Sequence, residues 1–162
     1  MIACFLIISF VLDGILSNYL SNSCLFVPLF SLVSLLSLCI YFKNDMNYYK
    51  SSFVLGLFYD IIYANTFVFY ACMFLLMAFI IKKISGIFAS NFLNLSMGVV
   101  IIVSIFRIVT YLCFWFTREF AFDYHMLLKG IYSSLILNIF YANVVRVLGD
   151  FVTSEIKKRR YY

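Results

Sequence analysis

LSMGVVIIVSIFRIVTYLCFWF, residues 95–116, decides the class of this protein. Arg107 is its one charged residue. A helix rises about 1.5 Å per residue, so a stretch of about 20 apolar residues crosses a bilayer core about 30 Å thick. The run Val99-Val100-Ile101-Ile102-Val103 does not alternate, as a membrane β-strand would. Lipid offers no hydrogen bonds, so a crossing segment of this kind satisfies its own backbone as a helix.

The rest of the chain has the same character. Of 162 residues, 65% are hydrophobic and 12% charged, and the mean hydropathy is +1.05. Soluble domains carry about one quarter charged residues to cover their surface. This composition makes lipid the solvent. One Pro and six Gly leave no linker, and no repeat or low-complexity stretch divides the chain, so residues 1–162 read as a single domain. The N-terminal run lacks a basic leader and is interrupted by Asp13, so it reads as a retained first helix rather than a signal peptide. Cys4, Cys24, Cys39, Cys72 and Cys113 lie in apolar runs with no CxxC pair, and they read as small hydrophobes rather than disulfide or metal partners.

Turn and charge signals divide the chain into six spans at about 2–20, 25–42, 48–63, 66–81, 95–116 and 126–147. The predicted fold is all-α: a compact polytopic bundle of about six transmembrane helices, with the N- and C-termini cytoplasmic. The third and fourth spans are short for two full crossings and read as two short helices or a re-entrant pair. With six spans, Lys43, Lys50, Lys82, Lys83, Lys157, Lys158, Arg159 and Arg160 share the inner side. Arg118 and Lys129 lie outside beside Glu119 and Asp123. That is the positive-inside bias of a cell-membrane protein. Tyr48, Tyr49, Tyr63, Trp115, Phe116 and Tyr124 fall near the predicted interfaces, as an aromatic belt would.

Ionisable groups inside spans are costly and mark candidate sites. Asp13 lies about 16 Å from the inner end of its span, Arg107 about 18 Å and Asp60 about 14 to 18 Å. Asn138 reaches similar depth from the other side. Desolvation argues that Arg107 pairs with Asp13, Asp60 or both, with Asn138 near. The cluster is either a polar clamp that fixes helix order or a proton or ligand site, and the clamp is the simpler reading. Arg146, near the inner end of its span, can snorkel. Gly56 and Asp60 share a helix face, and a Gly there lets a neighbouring backbone approach closely.

No HExxH, GxSxG, P-loop or GxGxxG occurs, and His125 is the single histidine. The pair Tyr59-Asp60 with Gly149-Asp150 lacks the GxGD half of an intramembrane aspartyl protease. The expectation is a protein that is not an enzyme, uses no cofactor or metal, and binds no nucleic acid.

The stretch Ser52-Phe53-Val54-Leu55-Gly56-Leu57-Phe58-Tyr59-Asp60-Ile61-Ile62-Tyr63, followed by a turn and a second apolar helix, resembles the bacterial rod shape-determining protein family MreD. Pro28 at the start of the second span and the layout of short spans and brief loops also fit. Family members often carry Gly in the turn after the Asp, where this chain has Ala64-Asn65-Thr66. The resemblance implies a non-enzymatic inner-membrane subunit of the elongasome, supporting cell shape and side-wall peptidoglycan synthesis. Its implied partners are MreC, the RodA–transpeptidase complex and, indirectly, MreB. The alternatives are a substrate-binding membrane subunit of an energy-coupling vitamin transporter and a small ion or proton carrier. Against the transporter subunit, Ala3 is followed four residues on by Ile7 rather than Ala, and 21–23 is too short for a lid.

Overall fold

The segment from Phe30 to Leu38 contains only Phe, Leu, Val and Ser, and a helix apolar on every side belongs in an interior. The computed structural model, which describes residues 2–20, 28–39, 42, 44–88, 92–117 and 123–159, buries all nine of these residues. The described elements are all helical: α1 (Ile2–Leu20), α2 (Phe30–Leu38), α3 (Asp45–Tyr59), α4 (Phe69–Phe88), α5 (Phe92–Phe116) and α6 (Tyr124–Arg159). A π-helical turn, Asp60–Ala64, continues α3.

α2 is the centre, packed against α1 and α6 and also touching α4 and α5. Its serines do not disrupt it: Ser34 donates to the Ser31 carbonyl at 2.9 Å and Ser37 to the Val33 carbonyl at 3.0 Å. Such bonds to the helix's own backbone satisfy a buried hydroxyl. Around α2 stand two antiparallel hairpins, α3 with α4 and α5 with α6. An aromatic seam crosses the bundle: Phe10 of α1 meets Tyr59 of α3, which meets Phe74 of α4, which meets Phe106 of α5.

The hairpins close through polar contacts at their ends. Asn44 caps α3 by accepting from the Met46 N–H at 3.0 Å. Asp45 then pairs with Lys82 at 2.7 Å, joining the start of α3 to the far part of α4. At the end of the other hairpin, the Tyr111 hydroxyl donates to the Asp123 carbonyl at 2.9 Å and accepts from the Asp123 N–H at 2.7 Å.

Several boundaries differ from the sequence reading. The second span, expected over 25–42, has helical backbone only from Phe30, because Pro28 and Leu29 are not helical. At about 14 Å this helix is too short to cross a bilayer core on its own. The third begins at Asp45 rather than at 48, and the fourth runs on to Phe88 rather than stopping at 81. This relieves the apparent shortage of length. The sixth extends past 147 to Arg159. Tyr48, expected in an interfacial belt, is fully buried and donates to the Leu35 carbonyl at 3.3 Å. Of the cysteines, Cys4, Cys39, Cys72 and Cys113 are free, and Cys24 lies outside the described residues.

Among the described residues, two helices are long and apolar enough to cross a membrane, over Leu93–Phe116 and Tyr124–Phe151, and a shorter apolar helix covers Ala3–Tyr19. The outer surface is apolar well beyond these. Ile7, Ile8, Val11 and Ile15 are exposed on α1, Val54 and Phe58 on α3, and Leu75, Leu76 and Phe79 on α4. On α6 the exposed series is Tyr132, Ile136, Phe140, Val144, Val147 and Phe151, spaced at helical period.

Candidate functional site

An α-helix begins with four N–H groups that have no acceptor in the helix itself, and in a dry interior those groups must find one. α2 begins in the core after Pro28, and its own N-cap residue, Leu29, has no side chain that can accept. The acceptors come from other helices. Asp13, midway along α1, accepts the Phe30 N–H at 2.6 Å through Oδ1 and the Ser31 N–H at 2.8 Å through Oδ2. Asn138 of α6 accepts the Leu29 N–H at 2.9 Å through Oδ1. Three consecutive backbone donors are thus met by two buried side chains. A carboxylate also suits the positive end of the helix dipole. Nearby, Tyr141 stacks on Phe30 with ring centroids 4.1 Å apart, and its hydroxyl meets Ser9 of α1 at 2.6 Å.

The same device recurs at α4. Asp60, at the start of the π-helical turn, accepts the Tyr70 N–H at 2.9 Å and the Ala71 N–H at 2.9 Å, one through each carboxylate oxygen. The Thr66 hydroxyl donates to it as well. The chain reverses between Asp60 and Phe69 with two residues at positive φ, Asn65 at 51° and Val68 at 60°. Asn is among the residues that tolerate this region; for a β-branched Val it is an outlier. Gly56, one turn before Asp60, permits the close approach that brings Asp60 to α4. A Cβ at Gly56 would stand 2.5 Å from the Ala71 Cα and 2.6 Å from the Tyr70 carbonyl oxygen.

The ion pair expected between Arg107 and Asp13 or Asp60 is not formed. Both carboxylates are filled by backbone donors, and Arg107 donates through Nε to the Ser134 hydroxyl at 2.9 Å. Ser134 in turn donates to the Gly130 carbonyl at 2.8 Å, and its own carbonyl accepts from Asn138 Nδ2 at 2.5 Å. Asp13, Asn138 and Arg107 therefore belong to one network that ties α1, α2, α5 and α6 together. Asp60 and Gly56 head a second joint between α3 and α4. Tyr70 adjoins both, giving its N–H to Asp60 and bordering a cavity that Arg107 also borders.

Polar residues of the joints that the sequence does not single out include Ser9, Tyr141, Ser134 and Thr66. Ser134 has a legible signal, because it stands one helical turn before Asn138 on the same face. Thr66 has none beyond its nearness to Asp60. Arg146 lies on α6 with Nε 3.8 Å from Asp150. Two cavities adjoin the joints. One of about 410 Å3 is bordered by Asp13, Ser17, Asn18, Tyr59 and Tyr63. The other, of about 240 Å3, lies at Arg107. Among the described residues, no group of three His, Cys, Asp or Glu side chains converges to hold a metal.

No family model, no curated protein and no solved structure matches this chain.

Proposed function

We propose that this protein is a multi-pass subunit of the bacterial inner membrane that works without chemistry of its own. Its role is to hold partners of the rod elongation machinery together in the manner of MreD. The observation that carries the membrane part is the apolar outer surface on α1, α3, α4, α5 and α6. A water-soluble monomer rarely exposes contiguous apolar patches beyond a few hundred Å2. Lipid removes that conflict. The Asp45–Lys82 pair brings the start of α3 to the far part of α4, so Lys50, Lys82 and Lys83 gather at one end of this hairpin, as a cytoplasmic face requires. α2 fits this arrangement as a short inner helix that starts level with the middle of α1. The chain then returns to the inner side before α3, and both termini are cytoplasmic.

The structural role rests on what the inner polar groups do. Asp13, Asp60 and Asn138 spend their acceptors on helix starts, which fixes helix order. That is the clamp reading, and it weighs against a carboxylate free to carry protons. The stretch that resembles MreD, with Gly56 and Asp60, is the α3–α4 joint itself. Partners such as MreC and the RodA–transpeptidase pair would then meet the bundle through its outer helix faces, and MreB indirectly. Depleting the protein in a rod-shaped host tests this reading. Rounded cells, together with co-purification of an MreC-like protein, are the expected result. Normal rods after depletion would end the rod-complex role while leaving the membrane assignment intact.

The vitamin-transporter reading draws on the cavity beside Asp13. It requires a small molecule retained by the purified protein. The carrier reading requires a pH-dependent flux that Asp60→Asn abolishes.

A further inference from the structure

Arg107 is left partly unsatisfied by the fold. Its Nε is used by Ser134, but its Nη2 is buried and has no hydrogen-bond partner. A guanidinium N–H withdrawn from water without an acceptor is costly, and Arg presents its donors as a fork that matches an oxyanion. No described carboxylate serves it: Asp13 and Asp60 cap helices, and Asp123 accepts the His125 N–H at 2.8 Å. Arg107 borders a cavity of about 240 Å3 at the α5–α6 hairpin, and a small turn of its side chain would bring the buried Nη2 to that space. Tyr70 borders it too, and Phe114, Met126 and Leu127 make it largely apolar. Gly130 borders it as well, and a Cβ there would meet nothing within 4 Å, so a larger side chain at this position has room to enter the cavity.

We infer that this cavity is an anion site. Arg107 receives a single carboxylate or phosphate group, and Phe114, Met126 and Leu127 cover the apolar part of the same ligand. The volume suits a small organic acid or one lipid headgroup rather than a larger cofactor, since pockets for drug-sized ligands begin near about 300 Å3. The site does not depend on a role in the rod complex. Only its lipid form rests on the membrane reading.

The test uses the full chain, purified in detergent and stripped of lipid. Native mass spectrometry measures retention of phosphatidylglycerol against phosphatidylcholine. Thermal shifts with benzoate and with inorganic phosphate probe a free anion. The expected result is binding of phosphatidylglycerol, or of a free anion, that Arg107→Gln weakens by about tenfold or more, the effect of losing a charged hydrogen-bonded contact. Preference for phosphatidylglycerol names a lipid as the source. A response to benzoate or phosphate alone names a soluble acid. Gly130→Leu fills the cavity with Arg107 intact and is expected to weaken the same binding. The inference is overturned if no anionic probe binds the wild type, if Arg107→Gln binds equally well, or if folded Gly130→Leu retains full affinity.

Discussion

Asp13 and Asn138 meet the first N–H groups of α2 from outside that helix, and the cost of removing either follows from those bonds. Asp13→Asn keeps the shape but turns an NH2 toward a backbone donor, leaving one buried N–H unmet. The expected loss is about 1–3 kcal/mol, the cost of an unsatisfied buried donor. It is read as an earlier thermal transition in detergent, with Asn138→Ala behaving alike. If Asp13→Asn melts with the wild type, Asp13 is not the cap of α2. Two glycines give a paired prediction at the same scale. Gly56→Ala forces a methyl against the Ala71 backbone, which cannot rotate away as a side chain can. It is expected to cost about 1–3 kcal/mol, as overpacking does. Gly130→Ala meets open space and is expected to be neutral or to gain up to about 1 kcal/mol from helix propensity. Equal melting of the two variants would contradict the close approach at Gly56.

Among the elements, the α3–α4 hairpin is fixed at both ends by different means. At the Asp60 end, backbone donors converge on one carboxylate, and the reversal holds Val68 at φ 60°. At the other end a single ion pair closes it, with Asp45 largely exposed and Lys82 partly so. The Asp45 carboxylate holds the Lys82 ammonium above the usual lysine range through a direct hydrogen bond. A raised lysine value stabilises the fold fully below the unfolded value, and that contribution is lost as pH rises through the folded one. Lys82→Met is therefore expected to cost under about 1 kcal/mol, as exposed pairs do. The difference in melting temperature from wild type should be constant through neutral pH and shrink above about 10.4, the ordinary lysine value. A difference that grows at high pH would exclude the pair as its source. The sequence read α5 well because its apolar run is continuous and ends at Phe116. It read the start of α3 late, because Asp45 and Asn47 look like a loop although Asn44 is a helix cap. The length of α2 was hidden for a different reason: apolar composition is the same for a helix in lipid and a helix in a protein interior.

At the scale of the molecule, the rarity of charge inside apolar runs was enough to single out Asp13, Asp60 and Arg107. Their partners were not legible. Rise per residue gives a level along the axis but no direction around it, and it ignores the N–H groups at helix starts that compete for a carboxylate. The same limit applies outside the bundle, where sequence gives the apolar total and only the fold gives its side. Ile136 and Phe140 lie one turn apart on α6 and are 70% and 71% exposed. Bare to water, that face would favour aggregation; in lipid it costs nothing. The two cases separate by labelling. In a cysteine-free background, Ile136→Cys in intact proteoliposomes is expected to resist a charged, membrane-impermeant maleimide and to react after solubilisation in SDS. Lys83→Cys, exposed at the basic end of the α3–α4 hairpin, is the comparison and should react in vesicles that present that end outward. A hydrocarbon neighbourhood denies the thiol both the reagent and the water that would ionise it, so the contrast between the two sites should be large. Reaction of Ile136→Cys as fast as Lys83→Cys would mean that water, not lipid, covers α6, and the bundle would then need a protein partner on that face to account for its apolar surface.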